Sequence, residues 1–446
     1  MRRAAAVRHR APGLAVGCAA VLCGCAAYRP RPLPTGSDLA RAPALSVPAT
    51  QLDVPVLKPE PLDPTKGLTQ INVITLAVIG NPRLKAARLQ AGIARAQLLE
   101  AGLLPDPQIS GGLSKSALFT GYSATLAEDV RALVTRGAAT GAARARLEQV
   151  SLDILWQEWQ VAEQARELFI EMRMLTRLSA VLRSQRQLLG RVYRQDETSL
   201  SQGDVTVGEV TADFIAWNSA EAAWRTLELR ENETRHALDG LLGLAPGVRL
   251  RLRGASGGPI MSAARYRAAL ATLPRRRPDL LALQAGYRTG EEQLREAILA
   301  QFPLLSAGVT KARSAEEGIQ SIGFDVTLTL PLFNRNRGPI AVGRASRAYL
   351  HQAYQASLDE SVSQADQVWR ASAIMRRQLA RLDRRLAVLE RAADAARVSL
   401  QRGTLTLADY ARLQSSSLTT QAEEIQLRAS LGRAQAALAM LLAQPF

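Results

Sequence analysis

The side chains able to carry acid–base or metal chemistry are few and scattered. Histidine occurs at His9, His236 and His351, far apart and, for the last two, inside helical runs. No Gly-x-Ser-x-Gly, zinc-ligand or phosphate-loop spacing accompanies them. Two carboxylates stand out by position: Glu209 in Thr206-Val207-Gly208-Glu209 and Asp409 in Thr406-Leu407-Ala408-Asp409. A general base needs a partner within hydrogen-bond reach. A carboxylate three residues after a threonine has a nearer task, closing a capping box at the start of a helix. Gly203 and Gly403, three residues ahead of each threonine, suit the left-handed end of the helix before it. Each stretch therefore reads as the tight tip of a helical hairpin. The chain is expected to be no enzyme and to need no cofactor and no metal.

The arms that hold these tips are long. Apolar residues recur every seven positions at Leu147, Ile154, Val161, Leu168, Leu175, Leu182 and Leu189, the seam of one helix packed along another. An arm over 147–202 is roughly 80 Å long at about 1.5 Å per residue, more than a globular core needs. A second arm carries Ala365, Ser372, Leu379, Leu386, Ala393 and Leu400, with Val368, Met375, Leu382, Leu389 and Ala396 three residues on. Return arms run to Leu242 and Leu442. Aromatics are only 4% of the 446 residues, which favours long helices over one large core. The net charge of +16 comes from arginines interleaved with acids along both arms. That is a solvated coiled-coil face, and no aromatic-studded basic patch for nucleic acid accompanies it.

The chain is one unit written twice. Asn81-Pro82-Arg83-Leu84 is answered by Arg277-Pro278-Asp279-Leu280, and Pro107-Gln108-Ile109-Ser110 by Pro303-Leu304-Leu305-Ser306. Gln202-Gly203 with Thr206 returns as Arg402-Gly403 with Thr406. In each unit a short helix starts at the proline and gives way to period two. Ile322, Phe324, Val326, Leu328 and Leu330 alternate with Gly323, Asp325, Thr327 and Thr329, a pattern that fits an ordinary soluble hairpin and equally a strand with one face to lipid and one to water, the reading that also accounts for the long arms. Tyr122, Ala124 and Leu126 against Ser123 and Thr125 are a weaker copy. Partner strands are expected over 109–116 and 305–312, with loops over 119–121 and 314–318. Four strands cannot close a barrel, and an open edge is not tolerated in lipid. Several chains must pool them, and three would supply twelve.

The amino terminus is an address. Arg2, Arg3, Arg8 and Arg10 precede a short apolar run over 14–22, as in a secretory signal. Leu22-Cys23-Gly24-Cys25 resembles the bacterial lipoprotein cleavage box, which makes Cys25 the lipid-bearing first residue of the mature chain. Ala26 after it favours the outer membrane. Prolines crowd the next stretch as far as Pro64, an extended tether. The expected divisions are a leader over 1–24, an anchor and tether over 25–67, and repeats over 68–258 and 259–446.

Four stretches carry a family resemblance: Arg276-Arg277-Pro278-Asp279-Leu280, Ala297 through Phe302-Pro303, Leu330-Pro331-Leu332-Phe333-Asn334-Arg335-Asn336-Arg337-Gly338, and Arg402 through Asp409. Together they make the chain resemble the TolC-type outer-membrane efflux channels, and Cys25 matches the lipid-anchored subgroup. The resemblance implies a mainly α fold with a small β part. Long coiled-coil hairpins would form a helical barrel crossing the periplasm, and a homotrimer would form a twelve-stranded transmembrane β-barrel, four strands per chain. It implies passive export of substrates received from an inner-membrane efflux transporter, proton-driven, through a periplasmic adaptor. Gly203, Asp204, Thr206, Gly403, Thr404 and Thr406 would be the docking tips. Acids there, Asp409 and Asp213 with Asp204 as a further candidate, would form a gate. The stretch 333–338 is similar to channels of heavy-metal pumps. A second class, a lipid-anchored periplasmic adaptor or scaffold, would use one hairpin flanked by small β-domains, whereas this chain writes two hairpins in tandem.

Overall fold

The computed structural model describes residues 28–42, 66–116, 119–254, 260–314, 319–329 and 331–444. The leader, Cys25 and most of the proline-rich stretch lie outside them. Residues 28–39 form a unit by themselves, irregular and exposed.

From Ala40 the second unit begins, and its first residue is already tied down. Ala40 N–H donates to Gly243 O at 3.0 Å and its carbonyl accepts from Ala245 at 2.8 Å. Leu68 makes the matching attachment, donating to Arg251 O at 2.7 Å and accepting from Arg253 at 2.9 Å. Two helices follow, α1 (Gln70–Gly80) and α2 (Pro82–Gly102), then strands β1 (Gln108–Ser116) and β2 (Phe119–Asp129). The first hairpin is α3 (Val130–Gln202) with α4 (Val207–Leu242). A short α5 (Ala263–Thr272) opens the second half, then α6 (Pro278–Leu299), β3 (Leu304–Ser314), β4 (Gln320–Thr329), and the second hairpin α7 (Arg337–Gln401) with α8 (Leu407–Leu441).

Three details depart from the sequence reading. Helix α3 starts at Val130, seventeen residues before the expected arm. Its opening turns are rich in alanine and glycine, too small to register as a heptad seam. Ala138, Ala142 and Ala145 are nevertheless buried, because α6 packs along them. Asp129 caps the helix, accepting from Arg131 N–H at 2.9 Å. Residues 119–121 and Ser314, expected in loops, are paired in strands as Gly121↔Ser314 and Ser116↔Phe119. Helices α1 and α5 went unforeseen. Helix α1 has a signal in hindsight, since Thr69 and Asn72 close a reciprocal capping box.

The core is thin and lies where the short helices meet the long ones. Val73, Ile74, Ala77 and Val78 of α1 pack on Trp159, Ala162 and Phe169 of α3 and on Leu238 and Leu242 of α4. The matching cluster in the second half joins Tyr266, Leu273, Leu280, Ala365, Leu438 and Leu442. Two further clusters join the long helices to one another, one around Leu175, Leu178, Leu227 and Ala436 and one around Leu188, Val192 and Ala411, while Leu147, Val161, Leu182 and Leu189 of the seam are half-buried.

The two prolines that open α2 and α6 show how one slot is filled by different chemistry. Asn81 caps α2, accepting from Arg83 N–H at 2.9 Å and Leu84 N–H at 3.1 Å, and its amide donates to Leu241 O at 3.1 Å. Arg277, its counterpart, makes no side-chain cap. Its buried guanidinium bonds Asp279 at 2.8 Å and sits 5.0 Å from the Trp156 ring centre. Arg277→Ala should cost about 2–4 kcal/mol, the sum of a charge-assisted bond and a cation–π contact. Arg277→Lys should recover little of that, because an ammonium cannot both bond and stack. Thermal melts of the three proteins check both statements.

Candidate functional site

The four strands make one antiparallel sheet in the order β1-β2-β3-β4. Register decides what shares a face. Ile109↔Leu126, Leu126↔Val309 and Val309↔Phe324 run across all four strands, and Leu113↔Tyr122 between β1 and β2 and Ala307↔Val326 between β3 and β4 lie on the same face. The apolar side chains therefore lie on a single face, and those of β2, β3 and β4 on it are exposed. Lys311 also falls there, beside Ile322, close enough to the hairpin end for its amine to reach an interface. The other face carries Ser110, Ser123, Thr125, Thr310, Asp325 and Thr327. Thr125 and Thr310 hydroxyls are 2.7 Å apart, and Thr310 donates to Asp325. A chain of hydroxyls thus crosses three strands. An apolar outside and a small, polar inside are what a strand between lipid and water requires. Among the described residues the outer edges, β1 and β4, have no strand partner. Among the described residues no helix is long and apolar enough to cross a membrane.

The helices repeat that logic. Contacts join α4 to α3, α3 to α8 and α8 to α7, a curved row whose outer members are α4 and α7. At one end of the row lie the two hairpin tips. Gly203 is left-handed at φ 84°, with its N–H on Leu200 O at 3.1 Å and that of Asp204 on Ser199 O at 3.0 Å. Thr206 and Glu209 complete the box: Glu209 accepts from Thr206 N–H at 2.8 Å and donates its own N–H to the Thr206 hydroxyl at 3.3 Å. Those bonds hold the Glu209 carboxyl below the usual range, the Thr206 backbone N–H first. At the second tip Gly403 takes φ 74°, and Thr404 N–H and hydroxyl both reach Ser399 O, at 3.0 and 3.1 Å. Asp409 donates its N–H to Thr406 at 3.1 Å and accepts the Thr406 hydroxyl at 2.7 Å. The tip residues Gly203, Asp204, Thr206, Gly403, Thr404 and Thr406 are exposed.

The acids behind the tips are not free. Asp409 receives Arg412 at 3.0 Å. Asp213 hydrogen-bonds Asp196 across the first hairpin, and burial together with that neighbour pushes its carboxyl up to about 6. Arg412, from the second repeat, opposes the rise at Asp213 and also acts on Glu209. One arginine thus acts on the tip acids of both repeats. Beneath them Tyr193 stacks on Trp217 with ring centres 5.3 Å apart, and Phe214 closes the cluster at 5.4 Å from Tyr193. Tyr193 comes from α3, whereas Phe214 shares α4 with Trp217. Nothing here pairs a nucleophile with a base. Among the described residues no group of three or more His, Cys, Asp or Glu could hold a metal ion.

A sheet apolar outside and polar inside, and two long hairpins with exposed tips, are parts of a conduit. Comparison with known proteins agrees. The outer membrane efflux protein family matches residues 269–444. No curated protein sequence matches the chain. Among solved structures, the CusC transmembrane channel is similar with a TM-score of 0.69 at 15% identity, over 90% of this chain and 99% of that one. The outer membrane protein VceC from Vibrio cholerae gives 0.69 at 17%, over 84% and 96%. The CmeC outer membrane channel of Campylobacter jejuni gives 0.68 at 15%, over 91% and 95%. At such identities the likeness is one of fold, and it extends over nearly the whole chain. The matched family is one of channels and not of enzymes. The second repeat of the chain is thus matched by the outer membrane efflux protein family, and the architecture of the chain is the fold of these channels.

Proposed function

We propose that three copies close their sheets and helix rows into one tube, a twelve-stranded barrel in the outer membrane continued by a twelve-helix tunnel through the periplasm. The observation that carries this is the sheet. Its backbone edges at β1 and β4 are open, and unpaired peptide groups in hydrocarbon cost several kcal/mol each. A neighbouring copy satisfies them, and the hydroxyl-lined face then surrounds water. The chain divides as leader 1–24, anchor and tether 25–67, and repeats 68–258 and 259–446, with Cys25 lipidated to hold the assembly at the outer membrane. The bonds at Ala40, within the tether, and at Leu68, just after it, hold both residues against 243–253.

Substrate enters at the tips, passed from a proton-driven inner-membrane transporter by a periplasmic adaptor that docks on Gly203, Asp204, Thr206, Gly403, Thr404 and Thr406. Asp213 and Asp409 narrow the entrance as a gate. Opening is a shear of packed hairpins. Any ligand is cargo, since no step alters a covalent bond.

The test is at the tip. Nothing lies within 4 Å of a Cβ built at Gly403, so Gly403→Trp meets no clash at that atom and costs about 1–2 kcal/mol for the left-handed φ of 74° while covering the docking surface. Export measured in cells should fall about tenfold or more, the loss expected when a docking contact worth about 1.4 kcal/mol goes. Assembly and membrane location should not change. Undiminished export would remove the docking role.

A further inference from the structure

The apolar face of the sheet carries two cations at the end away from the helices. Lys311 and Arg313 stand two positions apart on β3, and both are exposed. Register sets Lys311 between Ala124 and Ile322, and Arg313 between Tyr122 and Gln320. A strand rises about 3.3 Å per residue, so the two positions are about 7 Å apart. The hairpin turns lie at this end, beyond Ser116↔Phe119 and Arg313↔Gln320, whereas α2, α3, α6 and α7 all adjoin the sheet at the other. With the helices in the periplasm, the cations lie toward the cell surface.

Nothing within the sheet answers their charge. Asp325 belongs to the opposite face, where it accepts the Thr310 hydroxyl. Glu128, the one acid on the apolar face among the described residues, is level with Ala307, about 13 Å along the strand from Lys311. Neither cation has an ion-pair partner among the described residues. A cation on a lipid-facing strand is tolerated only near the headgroups, and a long side chain reaches them by snorkelling. Tyr122, exposed beside Arg313 in the register, is the residue type that sits at that level. The sequence makes the same step in both repeats. Gly308-Val309-Thr310-Lys311 answers Gly112-Leu113-Ser114-Lys115, 196 residues earlier, so each leading strand reaches a lysine where its apolar stretch ends.

We propose that Lys311 and Arg313 bind a lipid of the outward leaflet whose headgroup bears a phosphate monoester. Such a group carries about −1.5 to −2 charges at neutral pH, which two cations match and a phosphodiester with a single charge does not. Arg313 offers a planar fork to two phosphate oxygens and Lys311 a compact charge to the third. The acyl chains then lie along Ile322 and Phe324, which are exposed on the same face. This rests on the membrane-spanning reading above and adds a ligand to it.

The experiment uses full-length protein purified from membranes in a detergent of neutral headgroup. Lipid A carrying its phosphate monoesters is titrated in, and the lipid retained per protein after gel filtration is measured by mass spectrometry. Lys311→Gln and Arg313→Gln should each weaken retention about fivefold, and together about thirtyfold, the effect of one and of two cations at an anionic lipid surface. Arg335→Gln with Arg337→Gln removes the same charge at the helix end of the sheet and should change nothing. Phosphatidylglycerol, a diester, should be held weakly and alike by parent and double variant, and millimolar inorganic phosphate should not displace lipid A. Glu316 and Glu317 follow Arg313 in the chain, outside the described residues. Glu316→Gln with Glu317→Gln should retain lipid A at least as well as the parent. A Lys311→Gln, Arg313→Gln protein that holds lipid A like the parent, or a parent that holds phosphatidylglycerol as tightly as lipid A, would overturn the site. Flotation with vesicles of neutral lipid separates the two readings. A parent that floats but retains no lipid A loses the site and keeps the barrel, and a parent that does not float loses both.

Discussion

Gly243→Ala is expected to lose roughly 3 kcal/mol of stability, from two sources that act together. Gly243 sits at φ 69°, a conformation that costs a residue with a Cβ about 1–2 kcal/mol. A Cβ there would also lie 2.5 Å from Gly80 O, and relieving such crowding costs about 1–3 kcal/mol. The neighbour cannot give, because it is backbone. From the other side, a Cβ at Gly80 would lie 2.2 Å from Leu242 O, so Gly80→Ala should cost nearly as much with no strain in φ. Parting the two backbones would also stretch the Asn81 bond to Leu241 O and the Ala40 bond to Gly243 O. Gly203→Ala is the control. Its φ is 84° but nothing lies within 4 Å, so only the conformational cost of about 1–2 kcal/mol applies. Urea unfolding followed by circular dichroism should rank the three in that order. A Gly80→Ala protein as stable as the parent would mean that the junction of α1 with α4 is not close-packed.

Glu163 and Arg166 support an expectation of similar size. Both are buried on α3, and neither oxygen of Glu163 nor Nε and Nη1 of Arg166 has a hydrogen-bond partner. What holds them is mutual charge in a poorly solvated place. Burial pushes the Glu163 carboxyl up to about 7, with Glu167 adding and Arg166 opposing. Burial also depresses Arg166. Glu163→Leu strands a buried cation and should cost about 3–5 kcal/mol. The double variant Glu163→Leu with Arg166→Met should be neutral, or more stable by about 1–4 kcal/mol, since no buried charge remains. The pH dependence has a definite sign. The folded chain holds the Glu163 proton more tightly than the unfolded chain, where 4.5 is the reference value. Stability from this group is therefore full below about 4.5 and falls as pH rises toward about 7. Melting temperatures of parent and double variant, taken between pH 4.5 and 8, should show that decline only in the parent.

The sequence alone carried whatever depends on period and position along the chain. Heptads at 147–189 and 365–400 announced helices packed on helices, alternation over 322–330 announced a strand with two faces, and glycine with threonine at 203–206 and 403–406 announced the tips. These are local signals, because side-chain direction repeats every 3.6 or two residues whatever lies opposite. The doubled plan was legible for the same reason, since a repeat is a comparison of the chain with itself. What needed the tertiary structure was each feature whose partner is distant. Small residues over 130–146 gave no seam pattern until α6 was seen against them. Arg412 showed its reach to Asp213 and Glu209 only when the two hairpins were side by side. Gly80 and Gly243 are ordinary glycines in the text, and only their 163-residue-apart backbones in contact explain them. The register of α3 on α8, fixed by the Gln185 bond to Thr419 and the Arg433 bond to Glu171, likewise required the structure, because heptads specify which face is apolar and not how far one helix slides along another.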